Sequence, residues 1–331
     1  MHKFICLFMS LLFLMTGCST SQNPDNSNST DDLGSYFENQ PQTGEIGSAN
    51  FGFVNSMDTV YTYTGEPLEI PFHVIGASEG AESEIGVLLF VDGVVQPYSI
   101  VYEDGTSRSE DSMQVFCLDY EEKESFNMVF QPVTGKAGET LSLMAVTILN
   151  PSFVAEGENN PRYGIYHGES ATTDRNISFD VDAPAQTLST ATTEYDVKEI
   201  HQEIMDRLAA WGALDQLDMT ATLELDVGEE NIIRADGKRA EVTVQLYGGP
   251  EANFNITFFV NHKPVKINEA DYISVRTEKN KMIEFTVQLD TTDLGELNTV
   301  YAIAVTARGD HLLEINNPVK TTSILLVNKE S

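Results

Sequence analysis

The amino-acid sequence predicts an all-β protein made of two tandem antiparallel β-sandwiches, with one short helix between or beside them. From residue 51 onward, short runs of β-branched and aromatic residues alternate with Gly, Pro, Asn and Asp, a spacing typical of sandwich strands. These runs recur in the same order twice, and one stretch between them has helical periodicity. The length of 331 residues is compatible with about two domains.

The amino terminus resembles the leader of a bacterial lipoprotein. An apolar run of about a dozen residues follows Lys3 and is too short to span a bilayer. Met15-Thr16-Gly17 then precedes Cys18 in the order of a lipobox: an apolar residue, two small residues and cysteine. The resemblance implies that residues 1–17 are a signal peptide and that the Cys18 sulfur carries a diacylglycerol thioether. The alternative is a secretory signal with an incidental cysteine.

The lipid at Cys18 predicts the location of the mature protein. Two or three acyl chains, palmitate among them, contribute about 0.8 kcal/mol per buried CH₂ and hold a soluble domain on a membrane. We therefore expect a cell-envelope protein, anchored in a bacterial membrane and exposed outside the cytoplasm. Residues 18–50 are rich in Ser, Asn, Asp and Gln, which predicts a flexible tether.

The first sandwich is predicted over residues 51–183. Leu68, Ile70, Phe72 and Val74 occupy every second position of one segment, the period of a half-buried strand. The dipeptide Asp92-Gly93 separates two apolar runs and predicts a tight hairpin turn, because both residue types tolerate positive φ.

A linker and an amphipathic helix are predicted over residues 184–217. Asp196 is the expected helix cap, and Glu199 stands at the capping-box position. An apolar stripe of 3,4,4,3 spacing follows, comprising Val197, Ile200, Ile204, Leu208 and Trp211. Such a helix either packs on a sandwich or binds a partner.

The second sandwich, predicted over residues 218–331, reads as a copy of the first. Segments of the first copy match segments of the second in the same order, namely 68–76 with 240–248, 89–93 with 258–262, 126–131 with 283–288, 145–147 with 304–306, and 159–161 with 316–318. We interpret this internal repeat as a duplicated sandwich.

The second copy also resembles bacterial immunoglobulin-like (Ig-like) domains. Residues 234–238, Arg-Ala-Asp-Gly-Lys, lead into Ala240-Glu241-Val242-Thr243-Val244, which is similar to the strand entry of Ig-like domains in adhesins. The resemblance implies tandem Ig-like sandwiches in a surface lipoprotein that binds without catalysis. It identifies no ligand, because this fold carries many functions.

The first copy contains an insertion that the second lacks, and this loop is the predicted binding site. It includes Arg162, Tyr163, Tyr166 and His167. Loops on rigid scaffolds often carry binding function, and Tyr offers contact area at low entropic cost. The alternative is a loop that packs on its own protein.

No cofactor is predicted, although calcium remains a candidate. Asp174, Asp180 and Asp182 cluster near the end of the first sandwich, and Asp180-Val181-Asp182-Ala183-Pro184 is weakly similar to the calcium-binding junctions of cadherins. The alternative is a solvated strand end. Cys117, in an apolar run, is predicted to be a small buried core residue.

Charge and the missing motifs limit the partners. The formal net charge of −32 argues against nucleic acid, which needs clustered Lys and Arg. Signatures of hydrolases, phosphate loops, dinucleotide sites and zinc peptidases are absent from the sequence, so we expect no enzyme.

The predicted function is a non-catalytic binding or structural module that contacts an extracellular or envelope protein. The alternative is a glycan-binding lipoprotein that uses Tyr163 and Tyr166.

Overall fold

The computed structural model describes residues 48–329, except 57–58, 80–81, 161–162, 164–169, 185–187, 192–194, 229 and 311–317. Within these residues, the chain forms four β-sheets, one α-helix and one 3₁₀ turn. The sheets pair into two β-sandwiches, which confirms the predicted all-β class.

The first sandwich consists of two sheets with Ig-like strand order. Sheet I has the order β1-β3-β9-β6-β7, and sheet II has the order β2-β11-β10-β4-β5 with β8 paired to β4. The strands are β1 (Ala49–Phe53), β2 (Val60–Tyr63), β3 (Leu68–Gly76), β4 (Ser83–Val91), β5 (Val94–Val95), β6 (Tyr98–Val101), β7 (Ser107–Asp111), β8 (Met113–Leu118), β9 (Lys123–Phe130), β10 (Thr140–Leu149) and β11 (Ser170–Phe179). In chain order these sheets reproduce the ABED and CFG pattern of Ig domains.

The second sandwich repeats this arrangement. Sheet III has the order β12-β19-β17-β21-β23-β15, with β18 on β17 and β22 on β21, and sheet IV has the order β13-β20-β16-β14. The strands are β12 (Thr190–Ala191), β13 (Asp196–Glu199), β14 (Ala221–Asp226), β15 (Ile232–Arg234), β16 (Arg239–Gly248), β17 (Asn253–Val260), β18 (Lys263–Val265), β19 (Tyr272–Arg276), β20 (Lys281–Asp290), β21 (Leu297–Thr306), β22 (Val319–Lys320) and β23 (Ile324–Val327).

Each sandwich has its own apolar core. Leu68, Ile70, Phe72 and Val74 of β3 are buried, as their alternation predicts, and they face the interior of the first sandwich. In the second sandwich, alternate residues of β16 and β17 fill the equivalent space. The segments matched in the sequence repeat lie on equivalent strands: β3 with β16, β4 with β17, β9 with β20, and β10 with β21.

The predicted hairpin turn is present in the first copy and has an equivalent in the second. Asp92 and Gly93 have φ of 48° and 76°, and they connect the paired residues Val91 and Val94. Asn261 and His262, with φ of 48° and 64°, connect β17 to β18 in the same way. Positive φ at both central residues matches the right-handed strand twist.

A third apolar cluster joins the two sandwiches face to face. Its buried members come from sheets II and III, and they are Leu88, Phe90, Met144, Val146, Ile148, Phe259, Tyr301, Ile303 and Val305. Alternate residues of the same strands face the sandwich interiors, so β4, β10, β17 and β21 are buried on both sides. The sheets therefore stack in the order I, II, III, IV, and a spacing of about 10 Å per pair separates sheet I from sheet IV by about 30 Å.

The segment predicted as linker and helix contributes strands to the second sandwich. Asp196–Glu199 forms β13 and pairs antiparallel with β20, so the predicted cap at Asp196 is wrong. The helix α1 covers Gln202–Ala210 and is preceded by His201. The connection between β19 and β20 contains no strand of its own, and β13 takes the edge position beside β20 that β6 holds beside β9.

Two further features complete the fold. Among the described residues, no helix has the length and apolar character needed to cross a bilayer.

Cys117 is exposed, which corrects the prediction of a buried core residue. Its strand β8 alternates, and Phe116 and Leu118 point inward on either side of it. Partial burial and the nearby Glu84 raise the pKa of the Cys117 thiol.

Candidate functional site

The predicted binding loop packs against the second sandwich where the structure describes it. Arg162, Tyr166 and His167 lie outside the described residues. Tyr163 is described, and its side chain is only 2% exposed. Its hydroxyl lies 2.8 Å from Thr299 Oγ1 of β21, and its ring meets the Phe153 ring edge to face at 5.6 Å between centroids.

Tyr163 belongs to a fourth apolar cluster that bridges the two sandwiches. Ala155 and Phe153 of the first sandwich pack there with Ile232, Leu325 and Val327 of the second. Two ion pairs border the cluster, since Glu158 contacts Arg234 and lies 2.8 Å from Lys329 Nζ. The described part of the insertion is therefore a brace between sandwiches. The sequence predicts that Tyr163 faces a ligand. In the structure, its ring packs on Phe153 and its hydroxyl bonds to Thr299.

The three aspartates of the calcium prediction do not converge. Asp174 lies within β11 opposite Met144, whereas Asp180 follows the end of that strand, about 20 Å away at the usual strand rise. Asp182 Oδ1 accepts a hydrogen bond from the Ala137 amide at 2.9 Å. In the described ranges, no group of three or more His, Cys, Asp or Glu side chains is arranged to hold a metal ion.

A cleft of about 780 Å³ lies where the two sandwiches meet. Asp92 and Lys136 line it from the first sandwich, and Tyr272 and Arg308 line it from the second. The Arg308 amide donates to Asp92 Oδ1 at 2.9 Å, yet burial raises the Asp92 pKa to about 6. Among the described residues, the lining includes no His, Cys or Ser side chain.

The helix α1 and the 3₁₀ turn after it cover the outer side of sheet IV. Ile204 is buried against Tyr247 and Met282, with Ile200, Leu208 and Leu217 packed around them. Arg207 Nη2 donates to both carboxylate oxygens of Glu224 at 2.8 and 2.6 Å and to the Tyr247 hydroxyl at 3.2 Å. These contacts attach the helix firmly to the sheet beneath it.

The other side of this segment exposes large apolar side chains. Trp211, Leu214 and Met219 are 71%, 39% and 61% exposed, and we call these three residues the Trp211 surface. The sequence prediction placed Trp211 on an apolar stripe with Val197, but Trp211 caps the carboxyl end of a helix that begins five residues later than predicted. The stripe is interrupted because Val197 belongs to β13.

The sequence left open whether this helix packs on a sandwich or binds a partner, and it did not single out Trp211, Leu214 and Met219 as exposed together. The chain's only tryptophan is followed by Leu214, Leu217 and Met219, which alternate with the acidic residues Asp215 and Asp218. Large apolar side chains that lie exposed together are typical of an interaction site.

Comparisons with known proteins identify no family for this chain. No protein-family model matches it, and no curated protein matches it significantly. Solved structures give distant matches, among them the fibronectin(III)-like modules of Clostridium thermocellum CbhA, with 12% identity, a TM-score of 0.21, and coverage of 86% of this chain and 96% of that one. The Salmonella enterica SafA pilin with its SafB chaperone matches at 11% identity and a TM-score of 0.22, covering 86% and 98%.

A tip adhesin of Pseudomonas aeruginosa matches at 8% identity and a TM-score of 0.20, over 86% of this chain and 99% of the adhesin. Scores this low carry no inference about function. The strand order of the two sandwiches itself defines the class, a protein of tandem Ig-like β-sandwiches.

Proposed function

We propose that this protein is a lipid-anchored, non-catalytic binding module of the bacterial cell envelope, and that it contacts a protein partner. The observation that carries the proposal is the Trp211 surface. It offers exposed apolar side chains at the end of α1 and in the turn after it, a segment that is packed on a sheet, and aromatic residues in such a setting are enriched at protein interfaces.

The stacked architecture supports this role. A buried apolar interface between two sandwiches holds them in one orientation, whereas a small polar interface permits domain motion. The described chain begins at sheet I, and α1 lies on sheet IV at the other end of the stack. In a protein anchored before its first strand, the Trp211 surface would lie beyond sheet IV, which is about 30 Å from sheet I at the usual spacing of packed sheets.

The alternative of glycan capture relies on Tyr163 and Tyr166, and Tyr163 is buried. Carbohydrate sites need accessible aromatic rings, and the Tyr163 ring is packed on Phe153 inside the fourth cluster. A glycan array on which Tyr166→Ala abolishes strong binding would support glycan capture over a protein partner.

The anchor is tested with Cys18→Ser. We expect the wild-type protein to incorporate a labelled fatty acid and to sediment with membranes, and the variant to do neither. Cys117→Ser is the matched control, because that thiol is exposed and lies outside the leader. Unchanged labelling of Cys18→Ser would contradict the anchor.

Partner contact is tested on intact cells that carry a photo-crosslinking residue at position 214. We expect one discrete protein adduct that is lost when Trp211→Ser is added. The same crosslinker at position 54, which is also exposed but lies in the first sandwich, is the control. Adducts of equal intensity at both positions, or at neither, would contradict a protein contact at this surface.

A further inference from the structure

The exposed apolar side chains of the described chain are concentrated around α1. Elsewhere in the described residues, large exposed apolar side chains stand singly, such as Tyr120 and Val154, or as the pair Val54 and Val60, whereas Trp211, Leu214 and Met219 lie within nine consecutive residues. Backbone hydrogen bonds close this segment tightly, because the Gly212 amide donates to Ala209 O and the Met219 amide donates to Gln216 O. The three side chains thus belong to one compact, hydrogen-bonded segment.

The Trp211 surface is held in place from below. The guanidinium of Arg207 lies 5.6 Å from the Trp211 ring centroid and is itself fixed by Glu224. Leu217 packs with Ile204 beneath the segment, and Lys279 binds Asp218 at 3.0 Å. A surface fixed in this way loses little conformational entropy on binding.

The segment that carries the apolar side chains is rich in carboxylates. Glu203, Asp206 and Asp215 are exposed, and the two cations of the segment 196–220 are committed to other groups, since Lys198 contacts Glu284 and Arg207 contacts Glu224. With six acidic residues against two basic ones, the segment 196–220 is net anionic as well as apolar on its exposed side.

This charge pattern selects the occupant. A second copy of the chain would bring another −32 charges against the same segment, and a nucleic acid or an anionic membrane would be repelled in the same way. A cationic partner with apolar anchors matches both features, because opposite potentials steer association and the apolar side chains supply the affinity.

We propose that Trp211, Leu214 and Met219, with the carboxylates of Glu203, Asp206 and Asp215 in the same segment, form a docking surface for a basic amphipathic helix of a protein partner. This inference rests on the proposed function and specifies the chemistry of the partner. The apolar face of the helix covers the Trp211 ring, and its Lys and Arg side chains meet the carboxylates.

The only tryptophan of the chain makes the surface its own reporter. The experiment uses the mature chain with Cys18→Ser and a peptide of about 18 residues, enough for five helical turns, with Lys on one face and Leu on the other. We expect the peptide to shift Trp211 emission to the blue and to protect it from acrylamide, a neutral quencher. We also expect binding to weaken about tenfold between about 50 and 500 mM salt.

Variants separate the proposed contact from general attraction to an acidic protein. Leu214→Ser with Met219→Ser keeps the reporter and should weaken binding about tenfold, or about 1.4 kcal/mol, while Val154→Ser should leave binding unchanged. Asp206→Asn with Asp215→Asn should weaken binding and flatten its salt dependence, while Asp104→Asn with Glu103→Gln should change neither.

Three results would overturn the inference. They are equal binding by the Leu214→Ser/Met219→Ser variant, an equal emission shift with a peptide whose lysines are replaced by glutamates, and an equal shift with phosphatidylcholine vesicles, which would assign the surface to lipid. If one of these results is obtained while crosslinking at position 214 still yields a specific protein adduct, the proposed function stands and only the basic helix is wrong.

Discussion

Tyr163 shows how one side chain connects the two sandwiches. Its hydroxyl reaches Thr299 in the second sandwich, and its ring is enclosed by residues from both. An aromatic side chain so placed contributes buried area and a directional hydrogen bond together.

Replacement of Tyr163 should destabilise the whole molecule. We expect Tyr163→Phe to lower the free energy of unfolding by about 1 kcal/mol, because the hydrogen bond to Thr299 is lost, and Tyr163→Ala to lower it by about 3–5 kcal/mol, because a cavity forms. Chemical denaturation measures both. Tyr120→Phe, at an exposed position, is the control, and an effect there as large as at Tyr163 would contradict the bracing role.

Asp92 makes stability depend on pH. Burial raises its folded-state pKa from 3.8 to about 6, with Glu139 and Asp310 adding repulsion and the Arg308 amide opposing the shift. Between these two values the native protein binds more protons at Asp92 than the unfolded chain does. The contribution of this group to stability therefore falls as pH rises through the window and stays constant above pH 6.

Asp92→Asn should remove this penalty. Asparagine tolerates the positive φ of the turn and can still accept the hydrogen bond from the Arg308 amide. We expect the variant to equal the wild type near pH 4 and to exceed it by about 1–2 kcal/mol at pH 7, after allowance for partial solvent exposure. Urea titrations at several pH values measure the difference, and a gain that is independent of pH would contradict this account.

At the level of elements, β13 and α1 show where local sequence preference yields to tertiary demand. The 3,4,4,3 apolar spacing favoured a helix from Asp196, but Asp196–Glu199 is extended because β20 has an open edge and the second copy has no strand of its own to fill it. Backbone pairing at that edge satisfies groups that a longer helix would leave unpaired. The sequence pattern predicted the helix correctly but not the residue at which it begins.

The helix depends on Ile204, the residue of α1 that is fully buried. We expect Ile204→Ala to lower the free energy of unfolding by about 2–4 kcal/mol and to loosen α1, so that acrylamide quenches Trp211 more strongly. Glu203→Ala, one position away and exposed, should change neither quantity measurably. A loss of stability with unchanged quenching would show that α1 stays attached without this side chain.

At the scale of the whole molecule, the repeat accounts for the face that joins the sandwiches. Phe90 of the first copy matches Phe259 of the second, and Val146 matches Val305, and all four belong to the interface cluster. Equivalent surfaces of the two copies thus meet each other, as they do in an isologous dimer. Nine buried apolar side chains, each worth about 1.5–3 kcal/mol relative to exposure, favour a fixed arrangement.

Cutting the chain between the sandwiches should therefore not separate them. We expect a protein with a specific protease site in place of residues 185–187 to elute at unchanged size after complete cleavage, because the interface cluster and the Tyr163 brace hold the halves together. Phe259→Lys in the same background should release them, since it buries a charge in the interface. Separation of the cleaved parent by gel filtration would contradict the stacked arrangement.

The sequence by itself determined the all-β class, the duplication, the hairpin at Asp92-Gly93 and the inward residues of β3, because alternation and turn chemistry are local properties. The continuous apolar runs of β4 and β10 in the sequence also indicate burial on both faces. Only the tertiary structure decided that the sandwiches stack, that Tyr163 braces them and that Trp211 is left exposed. These outcomes depend on which surfaces meet across more than a hundred residues of chain, and no local pattern records the identity of a distant partner.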